Sequence, residues 1–234
     1  MTNKIRIDKL LSSLGYATRR EVQILIKSGD VLENGEELTS TNQKVDPALV
    51  TLYNEPLDPT EILVMFHKPA DYLCSHTGDQ PLIYDLLPER WTKRRPIVTS
   101  VGRLDFDTTG LLILTDNGQI IHKLTSPKYK IPKVYEVELE KDLIGNEIEI
   151  FASGQVMLAD EKTPLLPAVL EIIEPKKARL TLTEGRYHQV KRMFEHVNNQ
   201  VLKLHRSQVG QLKLGDLAEG SFRNIKLEDV IESN

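Results

Sequence analysis

Residues 102–110, Gly102-Arg103-Leu104-Asp105-Phe106-Asp107-Thr108-Thr109-Gly110, set a guanidinium and a carboxylate two positions apart, just before the apolar run Leu111-Leu112-Ile113-Leu114. A carboxylate at the mouth of a buried strand has the chemistry of a nucleophile or a base. Asp at a loop end also commonly closes a turn, so the motif alone leaves both readings open. For chemistry, Asp105 needs a cation within a few ångströms, because burial by itself favours its neutral form. His188 and His205 have no Cys or carboxylate at ligand spacing beside them, and Cys74 is the only cysteine. No metal site and no disulfide are therefore expected.

The elements that must position Asp105 can be read from the hydrophobic pattern. Residues 7–14 predict a short helix stopped by Gly15, and Thr18-Arg19-Arg20-Glu21 has the spacing of a capping box that opens a second one. Val22, Leu25 and Ile26 form the core face of that helix, leaving Arg19, Arg20 and Lys27 free to look outward. Val31-Leu32, the Asn34-Gly35 turn and residues 45–52 predict a small sheet. Residues 53–61, with Pro56 and Pro59 among polar neighbours, read as a linker that divides the chain into 1–58 and 59–234. Strands are predicted at 62–66, 111–115, 134–139, 166–171 and 178–183, and helices at 119–124 and 186–197. Alternation along 134–139 puts Tyr135, Val137 and Leu139 on one, inward face. The fold class expected is α+β.

These motifs carry a resemblance. Residues 102–110, Lys133-Val134-Tyr135 and Arg186-Tyr187-His188-Gln189-Val190-Lys191-Arg192-Met193 are similar to the motifs of pseudouridine synthases of the RsuA branch. Ile5-Arg6-Ile7-Asp8-Lys9-Leu10-Leu11, Arg19-Arg20-Glu21 and Asn34-Gly35 resemble the S4 RNA-binding module over about the first 50 residues. The resemblance implies a small N-terminal S4-like module followed by a catalytic domain, with a central mixed, mostly antiparallel sheet, flanking helices and a cleft. It also implies isomerisation of a uridine already in RNA, with no cofactor required. Asp105 is then the catalytic carboxylate, and Tyr135 stacks against the uracil and helps remove its C5 proton. Arg103 fills the space left by the base or holds its phosphate. The cation for Asp105 falls within residues 186–193, as Lys191 or Arg192. On a helix whose buried face is Val190, Met193, Phe194 and Val197, Lys191 borders that face about 100° from Val190 while Arg192 lies nearly opposite, which favours Lys191. Relatives commonly carry Arg there. Lys68-Pro69 stands where the family usually has Lys-Pro-x-Gly, with Asp71 in place of that Gly.

The charge pattern bears on the partner. The net charge of −4 argues against nucleic acid, but residues 1–30 hold six Lys or Arg against three acids, and 90–103 hold five basic residues and no acid. Residues 123–133 add four Lys without an acid, and 186–206 add five basic residues and three His against one Glu. Phosphate binding depends on such local clusters. The RNA contacts expected are Arg6, Lys9, Arg19, Arg20 and Lys27 in the front module, and Arg103, Arg186, His188, Arg192 and Arg206 near the cleft. Residues 167–171 and 184–193 look closer to the small-subunit branch, implying one uridine of 16S ribosomal RNA, free or in a small-subunit assembly particle. A 23S enzyme of a sister branch and an inactive RNA-binding assembly factor stay open. The sequence shows no membrane span and no signal-peptide core, so a cytoplasmic protein acting as a monomer is expected.

Overall fold

The computed structural model describes residues 4–232, which divide into two units. The first consists of residues up to 62 together with 87–99 and 115–117, and the second of 63–86, 100–114 and 118 onward. Among the described residues no helix is long and apolar enough to cross a membrane.

In the first unit β1 (Ile5–Arg6) leads into α1 (Ile7–Ser13) and α2 (Arg19–Lys27), followed by β2 (Val31–Glu33), β3 (Glu36–Glu37), β4 (Lys44–Val45), β5 (Val50–Leu52) and β6 (Glu55–Pro56). The capping box at Thr18 forms as the spacing predicts. The Glu21 N–H donates to Thr18 Oγ1 at 3.3 Å, and the Glu21 carboxylate accepts the Thr18 N–H at 2.7 Å. Ile7, Leu10, Leu11, Leu14, Val22 and Ile26 pack on Val31, Val45, Val50 and Leu52 as one core.

Two expectations need correction here. The strand predicted over 45–52 is interrupted, because the Asp46 side chain accepts the Ala48 N–H at 3.1 Å and Pro47 opens a single 3₁₀ turn, Pro47–Leu49. Residues 53–61 are not a free linker: β6 pairs with β5, and the Asp58 carboxylate accepts hydrogen bonds from Arg90 at 2.5 and 2.7 Å and from Trp91 Nε1 at 3.0 Å. Burial pushes the Asp58 pKa up, but these donors outweigh it and hold the carboxyl below the ordinary carboxylate range. The same unit contains a buried ion pair, Arg94 with Asp116 at 2.7 Å, and Asp116 also accepts the Ile62 N–H at 2.9 Å. By its contacts the first unit extends to residue 62, with the two later segments 87–99 and 115–117 folded into it.

The second unit is built on a nine-stranded sheet that includes β7 (Leu63–Lys68), β8 (Thr99–Ser100), β9 (Thr109–Thr115), β10 (Lys133–Leu139), β11 (Val169–Glu174), β12 (Lys177–Leu182), β13 (Val201–Val209), β14 (Leu212–Lys213) and β15 (Phe222–Asn224). The main path runs β11-β12-β10-β13-β9-β7-β15, with α3 (Gly118–Thr125), α4 (Asn146–Ala152) and α5 (Gln189–His196) as its helices. The pairings of β10 with β12 and β13, of β11 with β12, and of β7 with β15 are antiparallel, whereas β13 and β9 run parallel. The sheet is mixed and mostly antiparallel, as expected.

Where β9 meets β13, Gly110 pairs with Arg206 at a φ of 110°, and a Cβ on it would lie 2.3 Å from the Arg206 carbonyl oxygen. Only glycine lets these strands close. That closure brings the 102–108 loop, the face of β10 bearing Tyr135, and the Arg206 side chain to one end of the sheet. The helix predicted over 186–197 starts three residues late because His188 is left-handed, with φ 48°. Of the expected buried face, Val190, Met193 and Phe194 are buried, whereas Val197 caps the end of the helix and is half-buried. Asp71, standing where the family has Gly, also adopts a left-handed φ of 64°, which Asp tolerates better than most residues. Its N–H donates to the Phe106 carbonyl at 2.9 Å, tying the two loops together.

Candidate active site

The loop carrying Asp105 is held from below by a buried lysine. Lys68, at the end of β7, is fully buried, and its Nζ donates to the carbonyl oxygens of Pro69, Phe106 and Thr108 at 2.9, 3.0 and 2.9 Å. One ammonium thus fixes two carbonyls of the 105–108 turn and one of its own loop. Burial lowers the Lys68 pKa, partly offset by Cys74 and by the nearby Asp107, Asp71 and Asp105. Although the sequence displays Lys68-Pro69 as a motif, nothing in it says that the lysine turns inward.

Above this support lies a cavity of about 180 Å³, lined by Arg103, Leu104 and Asp105 of the loop, Lys133 and Tyr135 of β10, Arg206 of β13, and Gly185, Arg186 and His188 to Val190 at the head of α5. The Asp105 carboxylate lies between two groups from that head: His188 Nε2 is 3.4 Å from Oδ1, and Lys191 Nζ is 3.8 Å from Oδ2. Lys191 has a stronger tie, however, to a carboxylate that sequence reasoning passed over. Its Nζ donates to both oxygens of Asp107 at 2.6 and 2.8 Å. Burial raises the Asp107 pKa, but the hydrogen bond and charge of Lys191 outweigh it and hold Asp107 below the ordinary carboxylate range. Lys191 is shared between Asp107, which clamps it, and Asp105, which it faces at longer range. The Asp105-x-Asp107 spacing within the motif was the available signal.

Arg192, the other contender for Asp105, turns away. It pairs with Glu161 at 3.2 Å and donates to the carbonyls of Tyr187, at 3.1 Å, and Ala159. Arg186 also bonds inward: it pairs with Glu184 and Glu161, each at 3.1 Å, and donates to the Thr163 and Pro164 carbonyls at 2.7 and 2.6 Å. Both were expected at the RNA. In the structure their guanidinium groups pin the 159–164 segment to the head of α5. Arg192→Ala is expected to cost about 1–2 kcal/mol of stability in equilibrium denaturation, while RNA affinity in filter binding stays within about twofold.

Arg206 also departs from the expected phosphate contact. It is 3 % exposed, its Nε donates to the Leu111 carbonyl at 2.8 Å, and its Nη1 lies 3.5 Å from the Tyr135 hydroxyl. The guanidinium carbon sits 5.9 Å from the centre of the Tyr135 ring, which is itself 8 % exposed. A basic residue in a basic run reads as surface; here the β9–β13 closure buries it. Arg103 is exposed and lines the cavity.

In the first unit Lys9, Arg19, Arg20 and Lys27 are exposed, while Arg6 is partly neutralised by Asp8 at 2.9 Å. Lys9 and Arg19 line a groove of about 1190 Å³ together with Tyr16, Tyr53, Lys93 and Arg95. The last two come from the 87–99 segment, so one of the basic clusters seen in the sequence joins the front cluster within this unit.

Residues 62–196 match the family described as RNA pseudouridylate synthase, and residues 5–50 match the S4 domain. The chain is 39% identical over 235 residues to the ribosomal small subunit pseudouridine synthase A of Pasteurella multocida, covering 98% of this chain and 100% of the relative. To the protein of the same name from Vibrio parahaemolyticus it is 40% identical over 232 residues, covering 97% and 98%. An uncharacterized RNA pseudouridine synthase of Bacillus subtilis is 39% identical over 235 residues, covering 97% of each. A crystal structure of a pseudouridylate synthase aligns with a TM-score of 0.67 at 35% identity, covering 97% of this chain and 98% of that one.

Proposed function

This chain belongs to the RNA pseudouridylate synthase family, and on that premise we propose that it converts one uridine of 16S ribosomal RNA to pseudouridine. The observation that carries the reading is the small cavity in which the Asp105 carboxylate, between His188 and Lys191, shares walls with Tyr135 and Arg206. The volume suits a single pyrimidine ring, and a base inside a helix reaches such a cavity only by leaving its stack, at a cost of a few kcal/mol. Tyr135 repays part of that cost, since stacking on an aromatic face contributes about 1–3 kcal/mol. Arg206 holds the phenol in place, and Arg103 follows the base or its phosphate.

Asp105 acts on the nucleotide so presented, at uracil C6, at ribose C1′ or on the C2′ proton. All three routes need its ionised form, and His188 Nε2 and Lys191 Nζ lie 3.4 and 3.8 Å from its two oxygens. Asp107 keeps Lys191 in position. The first unit contributes affinity through phosphates, with Lys9, Arg19, Arg20 and Lys27 supplying the charge. The protein works as a cytoplasmic monomer on 16S RNA, free or in an assembly particle. The 16S assignment follows the names of the relatives and is tested by carbodiimide mapping of pseudouridines in both ribosomal RNAs, from cells with and without the chain. Loss of a single 16S pseudouridine is expected; loss confined to 23S RNA would move the enzyme to the sister class.

A further inference from the structure

Lys133 lines the cavity but has no part in the chemistry described so far. It opens β10 two residues before Tyr135, so both side chains leave the same face of the strand about 6.8 Å apart. A lysine is long enough to reach the edge of a ring stacked on Tyr135. The side chain is half-buried, and its Nζ donates to the Ile131 carbonyl at the long distance of 3.2 Å. Among the described residues no carboxylate forms an ion pair with it. The charged groups sharing its cavity are Arg206 on β13, Arg103 and Asp105 on the loop, and Arg186 and His188 at the head of α5; its partner on β12, Leu182, carries none. Arg186 is already neutralised by Glu161 and Glu184, and Asp105 faces His188 and Lys191. Lys133 and Arg206 are thus two cations held only by neutral oxygens at the wall of a small cavity. Such an arrangement is built to receive negative charge.

We propose that Lys133 is a further catalytic residue, whose ammonium donates a hydrogen bond to a carbonyl oxygen of the uracil while the detached ring carries negative charge. The proposal rests on the uridine-isomerisation reading. Whichever route Asp105 takes, the C1′–N1 bond breaks with its electron pair leaving on the base, and the charge spreads from N1 onto the ring oxygens. After the ring turns, C5 bonds to C1′, the C5 proton is given up and N1 takes a proton, so the balance closes and Lys133 need only donate a hydrogen bond. A cavity of about 180 Å³ is smaller than the roughly 300 Å³ at which drug-sized pockets begin. It admits the base and leaves the phosphates outside, which makes the ring, not the backbone, the partner of Lys133.

Burial, reinforced by the charge of Arg206, pushes the Lys133 pKa down to about 8. The charged, hydrogen-bonding form therefore prevails below about pH 8 and is lost above it. Arginine at this position would stay charged throughout.

The test is kcat and KM against pH for wild type, Lys133→Met and Lys133→Arg, on 16S RNA labelled with tritium at uridine C5. Lys133→Met is expected to lower kcat about 10²-fold or more while KM stays within about threefold. Wild-type kcat should fall above about pH 8, and Lys133→Arg should recover most of the activity with that fall moved to higher pH. A Met variant with wild-type kcat, a loss confined to KM, or an alkaline fall at the same pH in wild type and Lys133→Arg would each overturn the proposal. The last comparison stands even if the Met variant does not fold. Because wild type is measured alongside, failure of the isomerisation reading shows as an inactive wild type, separate from any difference among the variants.

Discussion

Asp105→Asn is expected to remove turnover, by roughly 10⁴-fold or more, and to leave affinity for 16S RNA within about threefold of wild type. The amide has nearly the shape of the carboxylate and can still meet His188, which lies 3.4 Å from Oδ1. What it lacks is the negative charge. Without charge there is no nucleophile for C6 or C1′ and no base for the C2′ proton, so the loss is the same by any route. Affinity should be spared if it resides, as proposed, in phosphate contacts of the first unit, whose exposed cations are untouched. Tritium release and filter binding on the same preparation separate the two effects. Parallel losses in both would show that Asp105 supports the fold or the RNA interface rather than the reaction.

Lys68→Met is the second large effect, and it appears first in stability. The substitution keeps the length and apolar stem of the side chain but strips the donor from three carbonyls that Nζ holds at 2.9–3.0 Å. A buried acceptor left without a partner costs about 1–3 kcal/mol. The Phe106 oxygen keeps its hydrogen bond from the Asp71 N–H, so the net loss is about 2–4 kcal/mol. That is a large share of the roughly 5–15 kcal/mol by which domains are stable. Urea denaturation measures it, and activity should fall further than stability predicts, because the freed carbonyls belong to the Asp105 turn. The pH dependence has a definite sign. Since burial lowers the Lys68 pKa in the folded protein, the unfolded chain binds the proton more tightly. Wild-type stability therefore rises with pH between that lowered value and the ordinary 10.5, and the Lys68→Met protein lacks this increment.

How much of this was legible in the sequence depended on the range of the interaction. The Thr18–Glu21 cap, the alternation that turns Tyr135 inward and the buried face of α5 are local, set within a turn or two of backbone, and the pattern of residues displays them. Asp105 was legible as a carboxylate at a strand mouth; the family resemblance put its cation within residues 186–193, and helix geometry there favoured Lys191 over Arg192. The competition of Asp107 for Lys191 depends on how the loop bends, which periodicity does not report. Arg186, Arg192 and Arg206 read as outward cations because charge in a basic run normally faces water. The partners that draw them inward include groups far away in sequence: Glu161 for the first two, and the Leu111 carbonyl with Tyr135 for the third. Lys68 is hidden for the same reason, since two of its acceptors come from a loop about forty residues later. The 87–99 segment joins the first unit through Arg94 and Asp116, a buried pair that composition alone presents as two surface charges.

Tritium release from 16S RNA labelled at uridine C5, with wild type and Asp105→Asn side by side, decides whether this carboxylate carries out the isomerisation. Release by wild type is expected to level off at one tritium per RNA molecule, with none above background from Asp105→Asn. No release by wild type from naked or particle-bound RNA, or equal release by the two proteins, would contradict it.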